Sequence, residues 1–197
     1  MEGKNEELGK KQILKLVKEI DDSFTLPERN VDKPFKMSVE GTFNISGRGT
    51  VVTGTIDQGK IKSGKDIHIY GYSNEPTQAT ITGIETFKKK LDWGEAGDNV
   101  GILLRGLKRE DVQRGQVLAE MNSLEQHQCI EAQIYFLTEE EGGRKKGFQS
   151  GFKPQVFINT ADISTSIKLP EGTELGMPGD NLTLQMRFRT KMPIEKN

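Results

Sequence analysis

A chain of 197 residues holds either one large domain or two small ones. With 33% hydrophobic and 29% charged residues and a mean hydropathy of -0.61, it reads as a soluble protein with a modest core. No apolar run approaches the roughly 20 residues that span a bilayer, which excludes a membrane partner, and a formal charge of -1 excludes a uniformly basic nucleic-acid binder while leaving room for local basic patches.

The first predicted element is a helix over 6–24. Ile13, Leu14, Leu16, Val17, Ile20 and Phe24 recur at three- and four-residue intervals between lysines and acids, which makes one amphipathic face in need of a partner. Residues 25–34 read as an extended connector, because Pro27 and Pro34 each disfavour helix at the residue before them. From there on the pattern is alternation. Strands are predicted over 37–44, 50–56, 66–70, 78–84, 100–104 and 116–119, separated by glycine-containing turns, and six short strands fit a small closed barrel that leaves no exposed sheet edge. The polar stretch 121–128 is the expected linker.

A second series follows over 130–137, 155–159, 163–169 and 182–188. In the last of these Leu182, Leu184, Met186 and Phe188 share one face, against Thr183, Gln185 and Arg187 on the other. Four strands do not close a barrel comfortably, so this second unit is expected to be short of strands at its C-terminal end. The expected fold class is therefore all-β, with two small β-barrels in tandem preceded by one amphipathic α-helix.

Residues with reactive side chains are sparse. The single cysteine, Cys129, rules out an intramolecular disulfide, and beside Ile130 it reads as a buried structural thiol. His68 and His127 have no second ligand at metal spacing, so no metal site is expected. The N-terminal Met-Glu-Gly-Lys-Asn-Glu-Glu is not a secretory signal. Two segments, 54–61 and 59–66, imitate a phosphate-binding loop, but Ile61 and Asp66 stand where Ser or Thr would hold magnesium, and strands follow where a helix is required. Both are hairpin turns on this reading. No nucleophile with a paired base stands out, so the chain is not expected to be an enzyme.

Several short motifs occur in a fixed order: Lys33-Pro34-Phe35, I-S-G-R-G-T-V-V-T-G over 45–54, Gly83-Ile84-Glu85, A-G-D-N-V-G-I-L-L-R-G-L-K-R-E-D over 96–111, and R-G-Q-V-L over 114–118. This set closely resembles domain 2 of elongation factor Tu. E-E-G-G-R over 140–144, Lys153-Pro154-Gln155 and M-P-G-D-N over 177–181 are similar to its domain 3, and P-E-R-N-V-D-K-P-F over 27–35 is similar to the connector that follows its GTPase domain.

The resemblance implies three segments: 1–33 as the last helix and linker of a GTPase domain, 34–123 as β-barrel domain 2, and 124–197 as a C-terminally truncated β-barrel domain 3. It implies aminoacyl-tRNA as ligand. Glu85 matches the acid that accepts a hydrogen bond from the terminal ribose hydroxyl, a contact that separates RNA from DNA. Phe87 and Lys88 match positions at the terminal adenosine and the ester, with lysine replacing the usual arginine and losing its planar fork. Arg48 and Leu103 match the adenosine pocket. Glu40, Phe43, Thr53 and Asn99 match the pocket for the esterified amino acid, where Gly41 replaces the usual aspartate. Arg144, Lys145, Gln155 and Ser164 match positions on the T-stem backbone, which position RNA without reading its sequence. Lys146-Gly147 departs from the family pattern before Phe148.

The same resemblance implies that the full-length parent delivers aminoacyl-tRNA to the ribosomal A site. Its further partners would be the nucleotide-exchange factor Ts and its own GTPase domain. This chain would carry no cofactor, with GTP and magnesium held by the absent domain, and the expected compartment is the cytoplasm or the mitochondrial matrix. The rival readings are a fragment of a related tRNA-carrier translation GTPase and a stand-alone β-barrel interaction module.

Overall fold

The computed structural model describes residues 9–25, 27–87 and 89–196. A single helix, α1 (Lys10–Ser23), opens it and ends where Phe24 turns extended, its N–H donating back to the Ile20 carbonyl at 3.0 Å. None of its residues is buried, and Ile13, Leu14, Leu16, Val17 and Ile20 are each about half exposed or more. The apolar stripe read from the sequence is thus uncovered among the described residues.

Ten strands follow: β1 (Lys36–Ser38), β2 (Gly41–Ile45), β3 (Gly49–Gln58), β4 (Lys60–Lys62), β5 (Asp66–Tyr70), β6 (Thr77–Thr86), β7 (Lys89–Leu91), β8 (Trp93–Glu95), β9 (Asn99–Arg105) and β10 (Val117–Glu120). The hydrogen-bonded order β1-β10-β5-β6-β9-β3 closes because β1 also pairs with β3, which makes a six-stranded antiparallel barrel. β2 extends β3, β7 extends β6, and β4 with β8 forms a separate two-stranded ribbon against the barrel wall.

Alternation sorts each strand. On β9, Val100, Ile102 and Leu104 enter the core with Met37, Val52, Ile56, Ile67, Ile69, Ile81, Ile84 and Leu118, while Asn99 and Arg105 face water. The ribbon seals one flank with Ile61. Its Gly94 lies so close to the wall that a Cβ there would stand 3.0 Å from Cδ1 of Ile56.

Two corrections concern this barrel. The stretch predicted as one strand over 37–44 is broken, since β1 leaves for β10 while the Glu40 N–H donates to Thr53 and β2 continues on β3. The three-residue strands β4, β7 and β8 were not anticipated, because Lys-Ile-Lys, Lys-Lys-Leu and Trp-Gly-Glu are too short to show alternation. Both phosphate-loop imitations are strand-turn-strand segments, as expected.

The second unit contains β11 (Gln126–Tyr135), β12 (Gln155–Ile158), β13 (Ala161–Lys168) and β14 (Asn181–Pro193), in the order β11-β14-β13-β12. This is a four-stranded antiparallel sheet over a core of Phe148, Ile167, Leu169, Leu184 and Met186. The alternation predicted for 182–188 holds, with Leu184, Met186 and Phe188 buried and Thr183, Gln185 and Arg187 exposed.

Cys129 must be corrected: it is exposed. On a strand, adjacency to a buried residue means the opposite face, so Ile130 packing inward turns the thiol outward. β11 also begins at Gln126, inside the stretch predicted as linker.

The two units meet along a seam of backbone-directed bonds. Thr160 Oγ1 donates to the Val39 carbonyl at 2.7 Å, the Tyr72 N–H to Lys191 at 3.2 Å, and the Gly71 N–H to Gln126 Oε1 at 2.6 Å. The Tyr72 side chain joins a cluster with Ala161, Ile163, Phe188 and Met192 of the second unit, where burial holds its phenol above the usual tyrosine pKa.

Barrel closure rests on a close crossing of β1 over β3. A Cβ at Gly54 would fall 2.2 Å from the Ser38 carbonyl oxygen, and the backbone there is ordinary extended chain, so a substitution reads the collision alone. Gly54→Ala is expected to cost about 2 kcal/mol or more in urea denaturation. A loss under about 0.5 kcal/mol, the level of a neutral surface change, would contradict the closure described.

Candidate functional site

The outward face of β6, β9, β3 and β2 is built in cross-strand rows. Register places Glu85 opposite Gly101, Gly101 opposite Thr53, and Thr53 opposite Gly41. The next row runs Gly83, Leu103, Val51, Phe43. Three glycines in eight positions clear side chains from the surface, so the larger residues between them line a depression. Its floor is apolar: Leu103 and Val51 are only 8% and 7% exposed, although they lie outside the barrel core.

One end of this face is a groove of about 530 Å³ lined by Arg48, Ser63, Gly83, Glu85, Lys90 and Leu103. Three residues assigned to the adenosine end by resemblance, Arg48, Glu85 and Leu103, are brought together here. Arg48 Nη1 stands 3.2 Å from Glu85 Oε1. Because the arginine is half exposed, this pair contributes well under 1 kcal/mol to stability. It orients the carboxylate at little cost to a ligand that displaces it. Gly83 keeps the groove open: a Cβ there would meet only Leu103, at 3.8 Å.

The other end carries Glu40, Phe43, Thr53 and Asn99. Thr55, which the sequence reading missed, links two of them: its hydroxyl lies 3.3 Å from Glu40 Oε1 and accepts from Asn99 Nδ2 at 3.2 Å. Thr53 Oγ1 donates to the Gly41 carbonyl at 3.4 Å. Phe43 is 56% exposed instead of filling a core, and a Cβ on Gly41 would touch its ring. Apart from Phe43, the side chains at this end are polar and hydrogen-bonded, which suits a ligand group of variable shape.

Between the ends projects the β6–β7 hairpin. Thr86 pairs with Lys89 across it and Phe87 follows Thr86 as a turn residue; Lys88 lies outside the described residues. Phe87 is 91% exposed with φ of 46°, a left-handed conformation that a bulky residue rarely adopts. An aromatic ring held in water at a strained turn is a feature of binding sites.

On the second unit the four assigned residues fall into two places. Gln155 and Ser164 face each other on β12 and β13, with Ser164 Oγ donating to Gln155 Oε1 at 3.1 Å. Ser164 also lines a groove of about 380 Å³ with Lys153, Arg187 and Arg189, a basic lining that the sequence reading passed over because its residues come from separate strands. Arg144 and Lys145 belong to the loop between β11 and β12. The Arg144 guanidinium stacks 4.5 Å from the Phe152 ring centre, and Lys145 pairs with Glu139 at 2.6 Å. The Thr138 N–H, the Tyr135 hydroxyl and the Thr138 hydroxyl all donate to Glu141, which fixes this loop and holds that carboxylate below its usual pKa. Among the described residues no group of His, Cys, Asp and Glu is arranged to hold a metal ion.

A family model described as elongation factor Tu domain 2 matches residues 49–119, and one described as elongation factor Tu C-terminal domain matches 123–197. The chain belongs to the elongation factor Tu family, and it carries these two non-catalytic domains in that order.

Replacing Phe87 by glycine separates strain from binding. Relief of the left-handed conformation, about 1 kcal/mol, is offset by the greater chain entropy of glycine, so the melting temperature should hardly move. RNA 3′-end affinity measured by fluorescence anisotropy should fall about tenfold, as expected for loss of a stacking ring. Equal affinity would remove Phe87 from the site.

Proposed function

We propose that the two units hold an aminoacylated tRNA end, and that the full-length parent delivers aminoacyl-tRNA to the ribosomal A site under control of GTP bound by its own GTPase domain. The observation that carries this reading is the single outward face on which the Glu85, Arg48 and Leu103 groove and the Glu40, Thr55 and Asn99 cluster lie on successive cross-strand rows of β3 and β9.

A terminal adenosine would lie on Leu103 and Val51, with its ribose hydroxyl donating to Glu85. Phe87 at the hairpin tip would cover it, and Lys88 would sit near the ester. The amino acid would point toward Phe43, Thr53 and Asn99, where the small Gly41 leaves space for side chains of different size. The T-stem backbone would run over Gln155 and Ser164 and past Arg144 and Lys145, contacts that position the RNA by its phosphates and sugars.

Neither half of this site contains groups for phosphoryl transfer. GTP and magnesium would belong to the GTPase domain of the parent, and that domain would cover the apolar stripe of α1. The ribosome and the exchange factor Ts are further proposed partners, in the cytoplasm or mitochondrial matrix. We take the domain boundary at 123/124, in the turn after β10.

The test is protection of the aminoacyl ester against spontaneous hydrolysis by the purified chain. The chain should slow deacylation in a saturable way. Glu85→Gln should weaken protection about tenfold or more, since a hydrogen bond to a charged group is lost. Gly83→Ala should do the same by filling the groove, with an unchanged melting temperature. Protection by both variants equal to that of the unsubstituted chain would overturn the assignment.

A further inference from the structure

Next to the proposed 3′-end groove is a surface that this reading leaves unused. The ribbon of β4 and β8 turns Ile61 and Gly94 inward and presents Lys60, Lys62, Trp93 and Glu95 outward. Trp93 is the only tryptophan in the chain, and it is 47% exposed. Lys62 is its direct cross-strand partner, and Lys60 Nζ stands 5.6 Å from the ring centre, within cation–π range. A large aromatic bracketed by two cations on a sheet face is not explained by packing, because the inward residues of the ribbon already seal the barrel.

The charges around it are of mixed sign: Arg29, Lys60, Lys62 and Lys65 stand among Glu95, Asp98, Asp66 and Glu120. Lys60 shares Glu95 at 3.6 Å with Arg29, at 3.9 Å, and Arg29 in turn reaches Asp98 at 4.0 Å. Asp66 is engaged by the Thr80 hydroxyl at 2.7 Å. Lys62 and Lys65 make no ion pair among the described residues.

The ribbon is also continuous with both neighbouring grooves. Ser63 and Asp92, chain neighbours of Lys62 and Trp93, line the groove that holds Glu85. Lys60, Lys62 and Lys65 line a second groove of about 610 Å³ together with Asp66 and Glu120, floored by Phe35, Ile61 and Ile67. An RNA strand leaving the first groove would meet an exposed aromatic ring and then the three lysines of a channel that also holds two carboxylates.

We infer that the Trp93 ribbon is a second RNA-binding surface: an unpaired base stacks on the Trp93 indole while Lys62 and Lys65 neutralise the flanking phosphates. This rests on the reading of the adjoining groove as an RNA site, and the chemistry of stacking with backbone neutralisation makes it tolerant of sequence. An acidic peptide is the competing occupant. It would use the lysines but gain nothing specific from a base-sized ring.

Because Trp93 is the sole tryptophan, its own fluorescence reads the contact. A short, unstructured oligoribonucleotide without an aminoacyl group should quench it saturably. In anisotropy with a labelled oligonucleotide, Trp93→Ala should weaken binding about tenfold and Trp93→Phe much less, as stacking requires. Lys62→Ala and Lys65→Ala should each flatten the dependence of log affinity on log salt by about 0.7. Ester protection measured in parallel keeps the two readings apart. Quenching without protection supports the ribbon as an RNA surface on its own. Protection without quenching overturns it and leaves the groove assignment standing, and equal quenching by poly-glutamate overturns it in favour of an acidic protein partner.

Discussion

The closing contact of the barrel is made by three residues. β1 pairs with β10 on one side and β3 on the other, and it can reach both only because Gly54 leaves room for the Ser38 carbonyl to pass. Once the ring is closed, no strand can slip by one residue without turning a core row into water and an outer row into the core. Every outward position on β3, β6 and β9 is thereby fixed to within the register. The alignment of Glu85, Gly101 and Thr53 follows from closure, and the pairing of β2 on β3 adds Gly41 to the row.

The outer face gains its chemistry from what is missing as much as from what is present. Glycines at 41, 83 and 101 remove side chains from the rows, so Leu103 and Val51 form a flat apolar floor in the row beside Glu85, with Asn99 and Thr55 in the row on the other side of it. The charged groups there are exposed and weakly paired, which keeps them available to a ligand. The second unit is held to this barrel by bonds to backbone atoms and by Tyr72 set into its core, a seam that joins the barrel to the unit carrying the basic groove.

Alternation made most of the barrel legible: the long strands around Val52, Ile102 and Leu118 stand where the sequence places them, as does the apolar face of β14. The residues that escaped did so for identifiable reasons. β4, β7 and β8 are shorter than the pattern that defines a strand, and Trp93 and Lys62 are thirty-one residues apart until β4 and β8 pair. Thr55 is an unremarkable strand threonine until register sets it between Glu40 and Asn99. The positive φ of Phe87 depends on a two-residue turn whose ends are set by β6 and β7. Cys129 is exposed although Ile130 beside it packs inward, because consecutive residues of a strand face opposite sides and chain adjacency does not share an environment.

The central claim is that one barrel face distinguishes an acylated RNA end from a bare one. Hydrogen–deuterium exchange of the chain with aminoacyl-tRNA, compared with the same tRNA after deacylation, addresses it without any substitution. The account predicts slower exchange over 83–87 and 99–103 in the presence of the acylated form, with a smaller change for the deacylated form. Identical exchange in those segments with both tRNAs would contradict it.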